Sequence, residues 1–108
     1  MKKVIVRYRI KPDKVAENEL LIKDVYRQLH EANIEGFHYV TFRLADGVSF
    51  IHIAFADSEK ANTAFVNLPA FKIFQAGIKD RCHELPVVTP VTIVGTYNFQ
   101  IESQIAYQ

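Results

Sequence analysis

Residues 37–56 read FHYVTFRLADGVSFIHIAFA, and this stretch decides the fold. Two runs rich in β-branched and aromatic residues, Phe37 to Ala45 and Val48 to Ala56, flank Asp46-Gly47. Such side chains suit a pleated, half-buried surface, and Asp-Gly between them is the strongest short-range hairpin signal, because a type I′ turn needs positive φ at both central positions. A β-hairpin is therefore expected in the middle of the chain.

Upstream, Lys3 to Ile10 alternates, with Val4, Val6, Tyr8 and Ile10 on one side and Lys3, Ile5, Arg7 and Arg9 on the other, which is the period of a strand. Lys11-Pro12-Asp13 ends it, since Pro12 cannot donate to a ladder and Asp13 suits a helix N-cap. Val15, Ile22, Val25, Leu29 and Ala32 then form the stripe of a helix reaching to about Asn33. Downstream of the hairpin, Asp57 or Ser58 caps a short helix carrying Ala61, Ala64, Phe65 and Leu68. Pro69 fits as the first residue of a second segment, with Phe71, Phe74, Ile78 and Cys82 as its stripe and His83 closing it. Leu85-Pro86 and Pro90 read as a loop, Val91 to Phe99 reads as the last strand, and residues 100–108 carry no clear element.

The order is β, α, β-hairpin, broken α, β. Right-handed crossovers turn it into a ferredoxin-like α+β fold: a four-stranded antiparallel sheet with both helices on one face. At 108 residues the chain fits one domain spanning 1–108.

A formal net charge of +1, from 13 Lys+Arg against 12 Asp+Glu, gives no field for holding a polyanion, so nucleic acid is not an expected partner. The segment Gly47 to Ile53 only faintly echoes the third-strand motif of RNA-recognition modules, which wants a basic residue at Asp46 and aromatics at Val48 and Ile53. One cysteine, Cys82, excludes an internal disulfide and reads as a small core hydrophobe. The apolar run Val4 to Val6 is too short for a signal-peptide core or a membrane span, so the expectation is a cytoplasmic protein with no membrane partner.

Parity assigns the faces. The helix side is expected to hold Val4, Val6, Tyr8 and Ile10, then Val40, Phe42 and Leu44, then Ile51, Ile53 and Phe55. The open side then carries Ile5, Arg7 and Arg9, then Phe37, Tyr39, Thr41 and Arg43, then Val48, Phe50, His52 and Ala54. The fourth strand is apolar on both sides, and its faces stay unassigned. An open face this apolar calls for a second sheet over it, hence a homodimer.

Arg7 to Asp13, Phe55 to Glu59 and Leu68 to Phe74 resemble the antibiotic-biosynthesis-monooxygenase-like proteins of the dimeric α+β barrel superfamily. There a strand ends in Lys-Pro, a Ser-Glu pair opens the second helix, and a Pro-x-Phe element restarts it. The likeness runs over roughly residues 3 to 99, and Asp46 to Phe50 and Pro86 to Pro90 resemble runs in small bacterial members with no established activity. It implies two sheets packed face to face as a barrel. It also implies a place among cofactor-free oxygenases of polyketide quinols, haem-degrading oxygenases, small isomerases and members without known activity. The haem-degrading branch relies on a tryptophan, and this chain has none, which argues against that branch. The oxygenases share no single catalytic set, so the site must come from local chemistry.

His52 between Phe50 and Ala54 suits proton abstraction from an activated C–H or phenol, Tyr39 suits a substrate oxygen, and Arg7, Arg9 and Arg43 suit oxyanions. Phe50 would pack on the substrate. The plainer reading makes His52 a satisfied core residue and puts Arg7 and Arg9 at a wet barrel rim, or paired with an acid such as Glu102 from the tail. His30, His38 and His83 look structural or exposed, and no two histidines have metal-ligand spacing with a supporting carboxylate, so neither metal nor cofactor is expected. The expectation is a possible cofactor-independent monooxygenase acting on a small quinol-like or anionic molecule, the alternative being a non-enzymatic ligand-binding or structural dimer.

Overall fold

A computed structural model describes residues 1–99, so the tail 100–108 and Glu102 lie outside the described residues. Four strands, β1 (Lys2–Ile10), β2 (Phe37–Arg43), β3 (Ser49–Ala56) and β4 (Cys82–Pro90), alternate with helices α1 (Val15–Ala32), α2 (Glu59–Val66), α3 (Pro69–Ala76) and α4 (Ile78–Arg81). The sheet order is β2-β3-β1-β4 and every neighbouring pair is antiparallel. This is the ferredoxin-like α+β arrangement. One core joins Tyr8, Ile10 and Phe50 of the sheet to Ile22 and Val25 of α1 and to Phe65, Phe74 and Ile78 of the later helices, so all helices cover the same face. Complete burial of a side chain such as Phe50 stabilises the fold by about 1.5–3 kcal/mol.

The punctuation acts largely as its chemistry dictates. Ser58 caps α2, its Oγ accepting from the Ala61 N–H at 3.1 Å. Pro69 opens α3, whose first turn is satisfied from another element: Gln28 Oε1 on α1 accepts from the Ala70 N–H at 2.8 Å. α1 stops at Ala32 because Asn33 turns left-handed and its N–H returns to the Leu29 carbonyl. Its start differs from expectation. A 3-10 turn, Pro12–Lys14, precedes α1, and Asp13 lies inside that turn instead of capping the helix.

The hairpin turn differs as well. Only Gly47 has positive φ there, and Asp46 instead accepts from the Val48 and Ser49 N–H groups and from the Ser49 hydroxyl. An N–H bond from Gly47 to the Leu44 carbonyl closes a turn followed by a left-handed glycine, the alternative to a type I′ loop.

The last strand is Cys82–Pro90, not Val91 to Phe99, and the second helical region ends at Arg81. Pro86 and Pro90 are tolerated because β4 is an edge strand and its register against β1 slips between the Arg7–Val87 and Arg9–Glu84 pairs, leaving Leu85-Pro86 in a bulge. Residues 91–99 form no strand, and Val94, Tyr97 and Phe99 are exposed.

The faces of β2 and β3 are the reverse of expectation. Val6 pairs with His52, and His52 with Thr41. Phe37, Tyr39, Thr41, Arg43, Phe50, His52 and Ala54 therefore share the helix side with Val4, Val6 and Tyr8. The open side carries Val40, Phe42, Ile51, Ile53 and Phe55 beside Ile5, Arg7 and Arg9. An apolar inner face is a sound rule for β1, but in β2 and β3 the inner polar groups satisfy one another, so burial does not exclude them.

Candidate functional site

The register that turns His52 inward places it beneath the helices, 4% exposed, against the phenols of two other strands. The Tyr8 hydroxyl on β1 lies 2.7 Å from His52 Nε2, and the Tyr39 hydroxyl on β2 lies 2.7 Å from Nδ1. Thr41 Oγ1 sits 3.2 Å from the same Nδ1 and 2.9 Å from the Tyr26 hydroxyl on α1. Burial pushes the His52 pKa down to about 4, so the imidazole is neutral at pH 7, and burial holds the Tyr8 and Tyr39 phenols protonated by raising theirs. A neutral imidazole offers one donor and one acceptor, so this ring takes a proton from one neighbour and gives one to another.

Behind Tyr8 the polar network continues into the core. Asn18 on α1 is fully buried, with Nδ2 3.1 Å from the Tyr8 hydroxyl and Oδ1 3.0 Å from Arg81 Nε. Arg81, only 3% exposed, also donates from Nη2 to the Phe74 carbonyl at 2.9 Å, and its guanidinium stacks 5.0 Å over the Phe74 ring. No carboxylate forms an ion pair with it among the described residues.

Tyr8, Tyr39 and His52, with Lys2, contribute polar groups to the wall of a cavity of about 210 Å³ between the sheet and the helices. The rest of the wall is mainly apolar and aromatic, from Val4, Val6, Phe65, Phe71 and Phe74, with Asn62 and Gln75 adding two amides. Dry apolar cavities of about 150 Å³ take a benzene ring, so this one has room for a flat aromatic molecule somewhat larger than that.

His52 and Tyr39 are thus brought together, as the sequence suggested, but on the opposite face of the sheet. Phe50 stacks on Tyr8 at 5.5 Å between ring centres and packs the core without lining the cavity. The three arginines do not join the site. Arg7 and Arg9 project from the open face, Arg9 lying 3.7 Å from Glu84 with its Nε buried and unpartnered. Arg43 points to the helix side at the margin and pairs with Glu19 of α1 at 3.1 Å. The acids that meet Arg9 and Arg43 therefore come from β4 and α1. His38 meets Asp57 at 3.3 Å, outside the cavity. Among the described residues no three His, Cys, Asp or Glu side chains converge as a metal site requires, and no helix is long and apolar enough to cross a membrane.

Sequence reasoning missed Tyr8, Asn18 and Arg81. Tyr8 is legible as inward-facing, and the available signal is its place on β1 diagonal to His52, which pairs with the neighbouring inward residue Val6. Nothing in the spacing of Asn18 and Arg81 links them.

No protein-family model matches the chain, and no curated protein matches it in sequence. Solved structures do match in fold. An antibiotic biosynthesis monooxygenase aligns with a TM-score of 0.72 at 18% identity, over 88% of this chain and all of that one. Rv0793 from Mycobacterium tuberculosis gives 0.72 at 18% identity, over 87% and 95% of the two chains. A mutant of SnoaB, a cofactor-independent oxygenase from Streptomyces nogalater, gives 0.67 at 17% identity, over 90% and 96%. The chain therefore has the fold of the antibiotic-biosynthesis-monooxygenase-like proteins across most of its length.

Proposed function

We propose that the cavity binds a small flat aromatic molecule bearing ring oxygens, and that the protein is a cofactor-independent monooxygenase of quinol-type substrates. The observation that carries this is the neutral His52, bracketed by Tyr8 and Tyr39, in the wall of an otherwise aromatic cavity. The fold shared with SnoaB supports the reaction class. A quinol needs no resident cofactor, because it supplies the electrons itself. One oxygen atom of O₂ replaces a ring hydrogen as a hydroxyl, the other leaves as water, and the ring becomes a quinone. The protein's part is to hold the ring against Phe65, Phe71 and Phe74 and to meet a ring oxygen with the Tyr39 hydroxyl, which His52 backs. Arg7, Arg9 and Arg43 lie outside the cavity and lend an anionic substrate no support, and Lys2 is the cation in its wall.

The reading includes a homodimer in which the open faces of two sheets meet, covering Val40, Phe42, Ile51, Ile53 and Phe55. A cytoplasmic setting fits the single, buried, free Cys82. A second reading, a non-catalytic binding protein, draws support from the engagement of both ring nitrogens of His52 by the chain's own hydroxyls.

1,4-Dihydroxynaphthalene and naphthalene-2-carboxylate test the proposal. The quinol should raise the melting temperature, as binding to the folded state alone requires, and more than the carboxylate does. Oxygen uptake and formation of 2-hydroxy-1,4-naphthoquinone, above the rate without protein, separate enzyme from binder. Stabilisation by neither compound would overturn the cavity reading; stabilisation without turnover would leave the binding protein.

A further inference from the structure

The cavity wall is one end of a hydrogen-bonded chain whose direction is fixed from the other end. Arg81 has donors and no acceptor, so its 3.0 Å contact with Asn18 assigns the amide, with Oδ1 toward the guanidinium and Nδ2 toward Tyr8. The Tyr8 oxygen accepts from Nδ2 at 3.1 Å, which leaves its own proton for His52 Nε2 at 2.7 Å. An imidazole that is neutral and accepts at Nε2 carries its hydrogen on Nδ1. Nδ1–H then donates to the Tyr39 oxygen at 2.7 Å and, at a longer 3.2 Å, to Thr41 Oγ1. Tyr39 receives a hydrogen bond and keeps a proton to give.

We infer that Arg81, Asn18 and Tyr8 are positioning residues that hold His52 as its Nδ1–H tautomer, so that Tyr39 offers an O–H donor to the cavity and selects ligands through an acceptor oxygen, a ring carbonyl or phenolate. The ligand half of this rests on the proposed reading of the cavity; the tautomer half does not.

The Asn18 end cannot run the other way, because the guanidinium has no lone pair to accept with, and an Nε2–H on His52 would leave the buried Tyr8 proton without an acceptor among its hydrogen-bond neighbours. Its anchor is independent of the cavity: Arg81 is also tied to the Phe74 carbonyl, in the last turn of α3, where a cation is favoured. Gly77 keeps the space open, since a Cβ there would stand 2.8 Å from Arg81 Nη1. Successive bonds in one sense polarise one another, which strengthens the final donor. Thr41, which meets Tyr26 at 2.9 Å, shares the His52 Nδ1–H with Tyr39. A donor aimed at an oxygen that gains negative charge is what an oxidised phenol or enol needs. On this geometry Tyr39, not His52, is the group that touches the ligand oxygen.

Two-bond ¹H–¹⁵N correlation spectra of the labelled full chain at pH 7 read the tautomer directly, with His52 identified among the four histidines by its loss in His52→Gln. The wild type should show a protonated Nδ1 and a bare Nε2; the opposite pattern overturns the assignment. Asn18→Asp keeps the shape and pairs with Arg81, but a carboxylate only accepts. Tyr8 must then donate to Asp, and His52 should switch to Nε2–H. An unchanged tautomer in that variant would show that Asn18 does not set it. Should Asn18→Asp fail to fold, Tyr8→Phe should bring the second tautomer into view, and a spectrum identical to wild type would overturn the relay. For the ligand half, Tyr39→Phe should weaken 1,4-naphthoquinone roughly tenfold while leaving naphthalene unchanged. No binding of naphthoquinone to the wild type, or equal losses for both probes, removes the acceptor-oxygen claim and leaves the tautomer result standing.

Discussion

Arg7 and His52 project from opposite faces of the same sheet, because His52 pairs with Val6 while Arg7 pairs with Ile51. A cation on one face and a cavity on the other are separated by the sheet itself. Arg7→Met should therefore leave the affinity for 1,4-dihydroxynaphthalene within about twofold of wild type, an effect below 0.5 kcal/mol. Isothermal titration of both proteins checks this, and a tenfold loss would place Arg7 in the site after all.

That relationship also shows where sequence alone reaches its limit. The element order, the helix-opening Ser58 and Pro69, and the inward Tyr8 and Ile10 were legible because each follows from one residue's local chemistry. Faces of β2 and β3 were not, since β3, with His52 on one side and Ile51 and Ile53 on the other, and β2, with Tyr39 opposite Val40, look amphipathic in the wrong sense. What reverses it is long-range: Asn18, Tyr8, Tyr39 and Thr41 come from three different elements to satisfy one imidazole's surroundings. The fourth strand was misplaced for a related reason. Pro86 and Pro90 break a central strand but not a bulged edge, and edge position is a property of the assembled sheet.

Stability should depend on pH through His52. Its folded pKa, about 4, lies below the value near 6.5 of an unfolded histidine, so the unfolded chain binds the proton more readily between them. The associated stability is full above about pH 6.5, falls steadily as pH drops toward 4, and is lost below that. This contribution is on the order of 3 kcal/mol. Denaturant titrations from pH 7.5 to 4 should show a steeper decline for wild type than for His52→Gln, whose curve starts lower because its amide cannot reproduce both hydroxyl contacts. Parallel curves would mean that the imidazole is not held neutral.

Two glycines should fail differently. Gly47 has φ +80 and open space around it, so Gly47→Ala should cost about 1 kcal/mol of backbone strain with no change in ligand binding. Gly77 has no left-handed backbone, yet its added Cβ would displace Arg81. Gly77→Ala should thus perturb the His52 ring-nitrogen shifts through Asn18 and Tyr8, as a lesion confined to the loop would not. Melting curves and imidazole spectra of the two variants distinguish these outcomes.

The proposed homodimer rests on the open face of the sheet. Phe42 is 50% and Val40 41% exposed, and Ile51, Ile53 and Phe55 lie half-buried on the same face. Ile93 and Phe99 of the chain itself line a hollow beside Val40, Ile53 and Phe55, and Phe42 stays half exposed; a stable pair of subunits buries about 1,200–2,000 Å² in total. Light scattering at micromolar concentration should give twice the 12.4 kDa chain mass. Phe42→Lys adds a charge to that face, which the proposed pairing would take out of water, and should shift the protein toward monomer. The inward Tyr8–His52–Tyr39 cluster is on the other side of the sheet, so the variant should keep its imidazole spectrum while it dissociates. A wild-type monomer, or a Phe42→Lys protein that stays dimeric, would mean that the open face is not where two copies meet.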